Sequence, residues 1–205
     1  MNYLAHVYLA GPQVTDRVGG LLGDFVKGPL PCGLPPDLAS GVALHRFIDG
    51  YTDQHPAFIR SRQRISPSRR RFSGVMIDLI YDHFLARHWR SFCDEPLLRF
   101  TQEFYQSLED YRDWLPASLL AILERMRQRN WLAAYADLAV IGRALDQIGT
   151  HRIQRTNTLV GSLSELEAHY AELEQDFWDF IPEVIQQASG WRQARFAEGR
   201  VGGLC

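Results

Sequence analysis

The chain lacks a cysteine framework. Its 205 residues include three cysteines, Cys32, Cys93 and Cys205, an odd number at wide spacing with no CxxC pair. That pattern excludes a disulfide scaffold and fits a reducing cytoplasm. Long apolar runs are missing too. No stretch approaches the roughly 20 residues that span a bilayer, so no membrane association is expected. The N-terminal MNYLAHVYLAGP is apolar, but it is short and has no basic leader, so it does not read as a signal peptide. Charge of one sign is scarce. The net charge is −2, which gives no global field pointing to nucleic acid. The sequence also shows no run of alternating strand-like positions, no internal repeat, no low-complexity tract and no domain linker.

What is present is helical periodicity and 46% hydrophobic residues, enough for one core. The expected fold is all-α, a compact single-domain helical bundle over residues 1–205, with 196–205 a frayed tail. The spacing predicts helices over Tyr3–Leu9 and over Thr15–Val26, the latter capped by Thr15 and stopped at Gly28-Pro29. The segment GPLPCGLPP is a loop, since its prolines and glycines forbid a regular helix. Pro36 opens a helix to about Gln54, which stops before Pro56. A short helix or turn follows over Phe58–Ile65, and then the longest apolar helix over Arg70–Phe92. Further helices are expected from Pro96 to Trp114, from Pro116, from an Asn130 cap through WLAAYADLAVIGRALDQIG, and over Leu163–Gln187 with Pro182 as a kink point.

Seven metal-ligating or proton-transfer residues crowd the first 83 positions: His6, Asp24, His45, Asp49, Asp78, Asp82 and His83. His45/Asp49 and Asp78/Asp82 are each four apart, which puts both members of a pair on one helix face. Each pair sits in an apolar stretch, GVALHRFIDGY and GVMIDLIYDHFLA. A carboxylate buried there costs several kcal/mol unless it is paired, and a divalent cation can pair several Asp and His at once. Simpler readings stand beside this one. A His–Asp helix pair is often a surface hydrogen bond, Asp24 alone reads as a helix-end acid, and His6 alone reads as a hydrogen-bonded core histidine. His88, His151 and His169 read as structural.

The second feature is a local absence. No acidic residue lies between Asp53 and Asp78, while the interval holds Arg60, Arg62, Arg64, Arg69, Arg70 and Arg71. Arginine forks bind carboxylates and phosphates, so the segment reads as a docking patch for an anionic partner. It reads equally as a solvated loop neutralised by acids elsewhere, such as those of Glu165–Glu183. Aromatic residues for base stacking are sparse there, so nucleic acid is not the expected partner.

MNYLAHVYLA, GLLGDFVKG, GVALHRFIDGYTDQHP and DLIYDHFLARHW, in that order over residues 1–89, together resemble the acyl carrier protein phosphodiesterase family. The resemblance implies an HD-domain-like helical fold, a divergent branch of the HD-type metal phosphohydrolases. It also implies a divalent cofactor, typically Mn²⁺ with Mg²⁺ as the alternative. The implied activity is removal of 4′-phosphopantetheine from holo-acyl carrier protein, whose acidity the arginine segment would complement. The ordinary His-Asp doublet is absent, however: Arg46 follows His45, and Asp82-His83 is reversed. The ligand set therefore cannot be copied from HD enzymes. The residues favoured as ligands are Asp24, His45, Asp78 and Asp82, with His6, Asp49 and His83 as ligands or orienters. Asp49 and His83 are the candidates for proton transfer, and Arg46 and Lys27 for holding phosphate oxygens. An HD-type hydrolase of nucleotides or another small phosphoester, and a non-catalytic helical adaptor for an acidic protein, are the competing readings.

Overall fold

A computed structural model describes residues 1–152 and 157–201. Its helices are α1 (Tyr3–Leu9), α2 (Val14–Leu22), α3 (Pro36–Gln54), α4 (Pro56–Arg64), α5 (Ser73–Arg87), α6 (Leu97–Ser107), α7 (Ala117–Gln128), α8 (Trp131–Ala134), α9 (Leu138–Gln147), α10 (Leu163–Ala168) and α11 (Tyr170–Val201). Short 3₁₀ turns cover Arg70–Phe72, Trp89–Ser91 and Leu108–Trp114, and a π-helical turn covers Ile148–Arg152. There is no strand among the described residues, so the all-α expectation holds. None of their helices is long and apolar enough to cross a membrane. Cys32 and Cys93 are free thiols, and Cys205 lies outside the described residues. Of the tail expected to fray, 196–205, residues 202–205 also lie outside the described residues, while α11 continues to Val201.

Prolines set the clearest boundaries. Pro36 occupies the first turn of α3, where its missing N–H leaves no bond unmade. His55, ahead of Pro56, is extended at φ −72° and ψ 131°, which ends α3. Several expected helices are shorter or divided. α2 stops at Leu22, and the amides of Asp24 and Phe25 turn back onto the carbonyls of Leu21 and Leu22. The apolar stretch from Arg70 splits because His88 leaves helical geometry after α5. The stretch after Asn130 divides where Asp137 caps α9, its carboxylate accepting from the Ala139 amide at 2.9 Å. Asn130 is itself a cap, in the left-handed region at φ 41°.

One hydrophobic cluster runs through the fold from Met1 to Ala188. α5 lies at its centre and packs against α1, α4, α9 and α11. That position explains why the helix is apolar nearly all round: Met76 through Ala86 are buried apart from Asp78. Tyr81, Phe84, Phe58, Phe177 and Phe180 form its aromatic interior, with ring centroids 5.4–6.5 Å apart.

The closest helix contact, between α2 and α3, shapes the functional region. A Cβ added to Gly19 would lie 2.6 Å from the Gly41 Cα, so the two backbones touch. Glycine in a helix costs about 0.5–1 kcal/mol relative to alanine. Here that cost accompanies an approach that no side chain would permit.

Candidate metal centre

α3 places His45 and Asp49 one turn apart, and their side chains meet, His45 Nε2 lying 3.1 Å from Asp49 Oδ2. α1 brings His6 to the other carboxylate oxygen, with Nε2 3.1 Å from Asp49 Oδ1. The two imidazoles stack with centroids 3.7 Å apart at an interplanar angle of 24°. Donor atoms of His6, His45 and Asp49 all lie within 4.8 Å of one another. Both histidines are buried, while the Asp49 side chain is 44% exposed and forms the open side of the group.

The close α2–α3 contact orients His45. Its Nδ1–H donates to the Gly20 carbonyl at 2.8 Å, leaving Nε2 with a lone pair toward Asp49. Gly23 forms the floor under the ring, because a Cβ there would sit 2.1 Å from His45 Cγ. His6 has no such partner. Neither of its ring nitrogens makes a hydrogen bond.

Electrostatics favours a neutral His6 facing an anion. Burial, with His45 beside it, drives the pKa of His6 down to about 3. Burial pushes the Asp49 carboxyl up, but the imidazoles of His45 and His6, each 3.1 Å away, outweigh it and hold the group well below the usual carboxylate range. Two imidazole nitrogens and a carboxylate within reach of one point, with one imidazole fixed through its far nitrogen and the other without a hydrogen bond, fit a divalent cation. Met1 adds a positive neighbour. Its terminal ammonium lies 2.9 Å from Asp78 Oδ1 and 3.5 Å from Asp49 Oδ1. Burial lowers its pKa, yet these carboxylates raise it to about 10.

A cavity of about 360 Å³ opens beside the group, lined by Gly23, Asp24, Val26, Lys27, Gly28, His45, Arg46 and Asp49. Four of the predicted residues outside the metal group thus divide unevenly. Asp24, Lys27 and Arg46 line this cavity, whereas Asp78 does not and is linked to Asp49 through the terminal ammonium. Arg46 donates to the Val26 carbonyl at 3.3 Å and so steadies the loop after α2. Asp24 Oδ2 is buried without a hydrogen-bond partner, and burial raises its pKa.

Asp82 and His83 are not brought into the group. Asp82 is fully buried, and its two oxygens accept from the amides of Leu4 at 2.9 Å and Ala5 at 3.0 Å. Burial, resisted by those amides, lifts its pKa to about 7. His83 donates from Nδ1 to the Tyr135 carbonyl and accepts at Nε2 from the Tyr170 hydroxyl, at 2.9 and 2.8 Å. Both its nitrogens are engaged within the core.

The arginine segment is largely answered by acids of α10 and α11. Arg60 and Arg64 pair with Asp176 at 2.6 and 2.7 Å, Arg60 also with Asp179, and Arg69 with Glu165 at 2.9 Å. Arg62 comes within 3.9 Å of Asp53. Arg70 donates to the carbonyls of Ile65 and Gln63, and Arg71 is exposed.

Residues that sequence reasoning passed over include Gly20 and Gly23, which hold His45, and the buried acids Asp16 and Asp176. The GG pair and the glycine before Asp24 were the available signal for the first two.

A family profile described as acyl carrier protein phosphodiesterase matches residues 1–184. The chain belongs to the acyl carrier protein phosphodiesterase family. A relative of that name from Serratia proteamaculans (strain 568) is 35% identical over 191 residues, covering 92% of this chain and 97% of its own. One from Photorhabdus laumondii is 33% identical over 189 residues, with 92% and 95% covered. One from Escherichia coli O157:H7 is 34% identical over 190 residues, with 92% and 98% covered. No solved structure matches the chain. In this member of the family, all the residues of the candidate metal centre and its cavity fall inside the matched span.

Proposed function

We propose that this protein hydrolyses the phosphodiester that joins 4′-phosphopantetheine to acyl carrier protein, releasing the arm and a carrier with a free serine. The observation that carries the reading is the meeting of His6, His45 and Asp49 at a cavity whose other walls supply Lys27 and Arg46. The donor set is oxygen and imidazole without thiolate, which suits Mn²⁺ or Mg²⁺. When bound, such a cation polarises a phosphoryl oxygen and lowers the pKa of its water.

The protein's own residues do the rest. His6, His45 and Asp49 hold the cation. Lys27 and Arg46 hold the non-bridging oxygens of the phosphodiester and balance the charge that grows there. Asp24, in the same cavity with one oxygen unpartnered and its pKa raised, is suited to give a proton to the departing serine oxygen. Asp78 pairs with the terminal ammonium that also approaches Asp49 and so offsets the positive charge next to the group. The carrier is acidic, and Arg62, at 3.9 Å from the exposed Asp53, together with Arg70 and Arg71, which form no ion pair among the described residues, remain available to dock it.

The test is incubation with holo-acyl carrier protein and Mn²⁺, followed by intact mass of the carrier. Loss of the whole phosphopantetheine mass, stopped by chelator and restored by Mn²⁺, is the expected result. An unchanged carrier mass, with hydrolysis of nucleotides or small phosphodiesters instead, would replace this reading with that of a small-phosphoester hydrolase.

A further inference from the structure

We infer that Asp82 is a positioning residue, which sets where α1 presents His6 to the metal group by holding the amides of Leu4 and Ala5. The inference rests on the metal reading above. The first amides of a helix have no partner within it. At α1 the preceding residue, Asn2, makes no capping bond with its side chain. The acceptor comes instead from the central helix α5, where both oxygens of Asp82 are engaged by these two amides.

His6 is the next residue along. Its imidazole has no hydrogen bond to orient it, in contrast to His45, which is fixed by the Gly20 carbonyl. His6 is therefore held by its stack on His45, by its approach to Asp49 and by the backbone that carries it. α1 is seven residues long, so the anchor lies within one turn of the imidazole. A buried carboxylate is a costly way to cap a helix when a side chain at the preceding residue commonly serves. That cost is intelligible if the carboxylate also clamps α1 to the rigid core.

The test uses the full chain with Asp82→Asn, Asp82→Ala and, as a control for destabilisation alone, Leu123→Ala in α7. Two quantities are read: the His6 ring signals in ¹⁵N-histidine spectra of metal-free protein, and the Mn²⁺ dissociation constant by calorimetry. Asp82→Ala is expected to displace the His6 signals and weaken Mn²⁺ binding about 10- to 100-fold, the range for residues that orient ligands. Asp82→Asn keeps one acceptor oxygen and is expected to fall between it and the unaltered protein. Leu123→Ala should leave both quantities unchanged.

Equal and complete loss of Mn²⁺ binding in both Asp82 variants with His6 unmoved would mark a direct ligand and overturn the inference. So would unchanged affinity and unmoved His6 signals, or an equal loss in Leu123→Ala. Should Asp82→Ala not fold, Asp82→Asn alone decides on the same criteria. If the unaltered protein binds no Mn²⁺, the metal reading fails, and the His6 signals by themselves uphold or overturn the positioning role.

Discussion

Gly23 shows how small a change the site tolerates. Any Cβ there enters the His45 ring, and the ring cannot retreat without breaking its bond to the Gly20 carbonyl. Gly23→Ala is therefore expected to weaken Mn²⁺ binding at least about tenfold, the loss of one orienting partner, with helical content by circular dichroism unchanged. Asp49→Ala removes the carboxylate that both imidazoles face, and calorimetry should detect no Mn²⁺ binding. Retained affinity in Asp49→Ala would place the cation elsewhere. At this scale the sequence was half legible. His45 and Asp49 could be paired from their spacing. The identical spacing of Asp78 and Asp82 carried the same signal, but there the second acid went to a helix terminus. Spacing decides which side chains share a face. It does not decide what that face meets.

Among the elements, α4 and α11 are joined by a buried acid. Asp176 is 1% exposed and accepts from Arg60, Arg64 and Ser61, whose hydroxyl also meets that of Tyr81. Removing Asp176 takes the acceptor from Arg64 and the buried Ser61 hydroxyl, while Arg60 keeps Asp179, so Asp176→Ala is expected to cost about 1–3 kcal/mol in denaturant unfolding. Burial pushes the Asp176 carboxyl up, but its bonds to Arg64, Arg60 and Ser61 hold it below its ordinary value. A carboxyl whose pKa is lower folded than unfolded stabilises the fold above the unfolded value. That contribution is lost as pH falls through the ordinary carboxylate range toward the folded value. Stability measured from pH 6 down to pH 3 should fall, and fall less steeply in Asp176→Asn. Equal slopes in the two proteins would mean that the network does not respond to protonation of Asp176. The arginines of this network were visible in the sequence as a run without acids. Their partners, more than 100 residues away, were not.

For the molecule as a whole, the proposed function makes charge the means by which an acidic carrier arrives. Arg60, Arg64 and Arg69 are committed to internal pairs, so the proposed docking role is assigned to Arg62, Arg70 and Arg71. Exposed pairs are worth about 0–1 kcal/mol each, so reversing Arg70 and Arg71 together to Glu should lower kcat/KM for the carrier by about tenfold. Hydrolysis of a small phosphodiester should be unaffected, since neither residue lines the cavity. Raising ionic strength from about 0.01 M to 1 M shortens the Debye length from roughly 30 to 3 Å and should have a similar effect. Carrier turnover indifferent to both treatments would reduce the segment to a solvated face.

The sequence by itself determined the helical class, the proline-set ends of α3, the facing of His45 and Asp49, and the kinship with acyl carrier protein phosphodiesterases. These follow from local geometry, from residues within a turn of one another and from motif order. Only the tertiary structure decided that His6 stacks on His45, that Asp82 caps α1 and His83 lies in the core, and that acids of α10 and α11 neutralise much of the arginine run. Each of those outcomes depends on which helices touch. Here that was settled by the glycine contact between α2 and α3 and by the burial of α5 on every side, where a polar side chain must take whatever partner the neighbouring backbone offers.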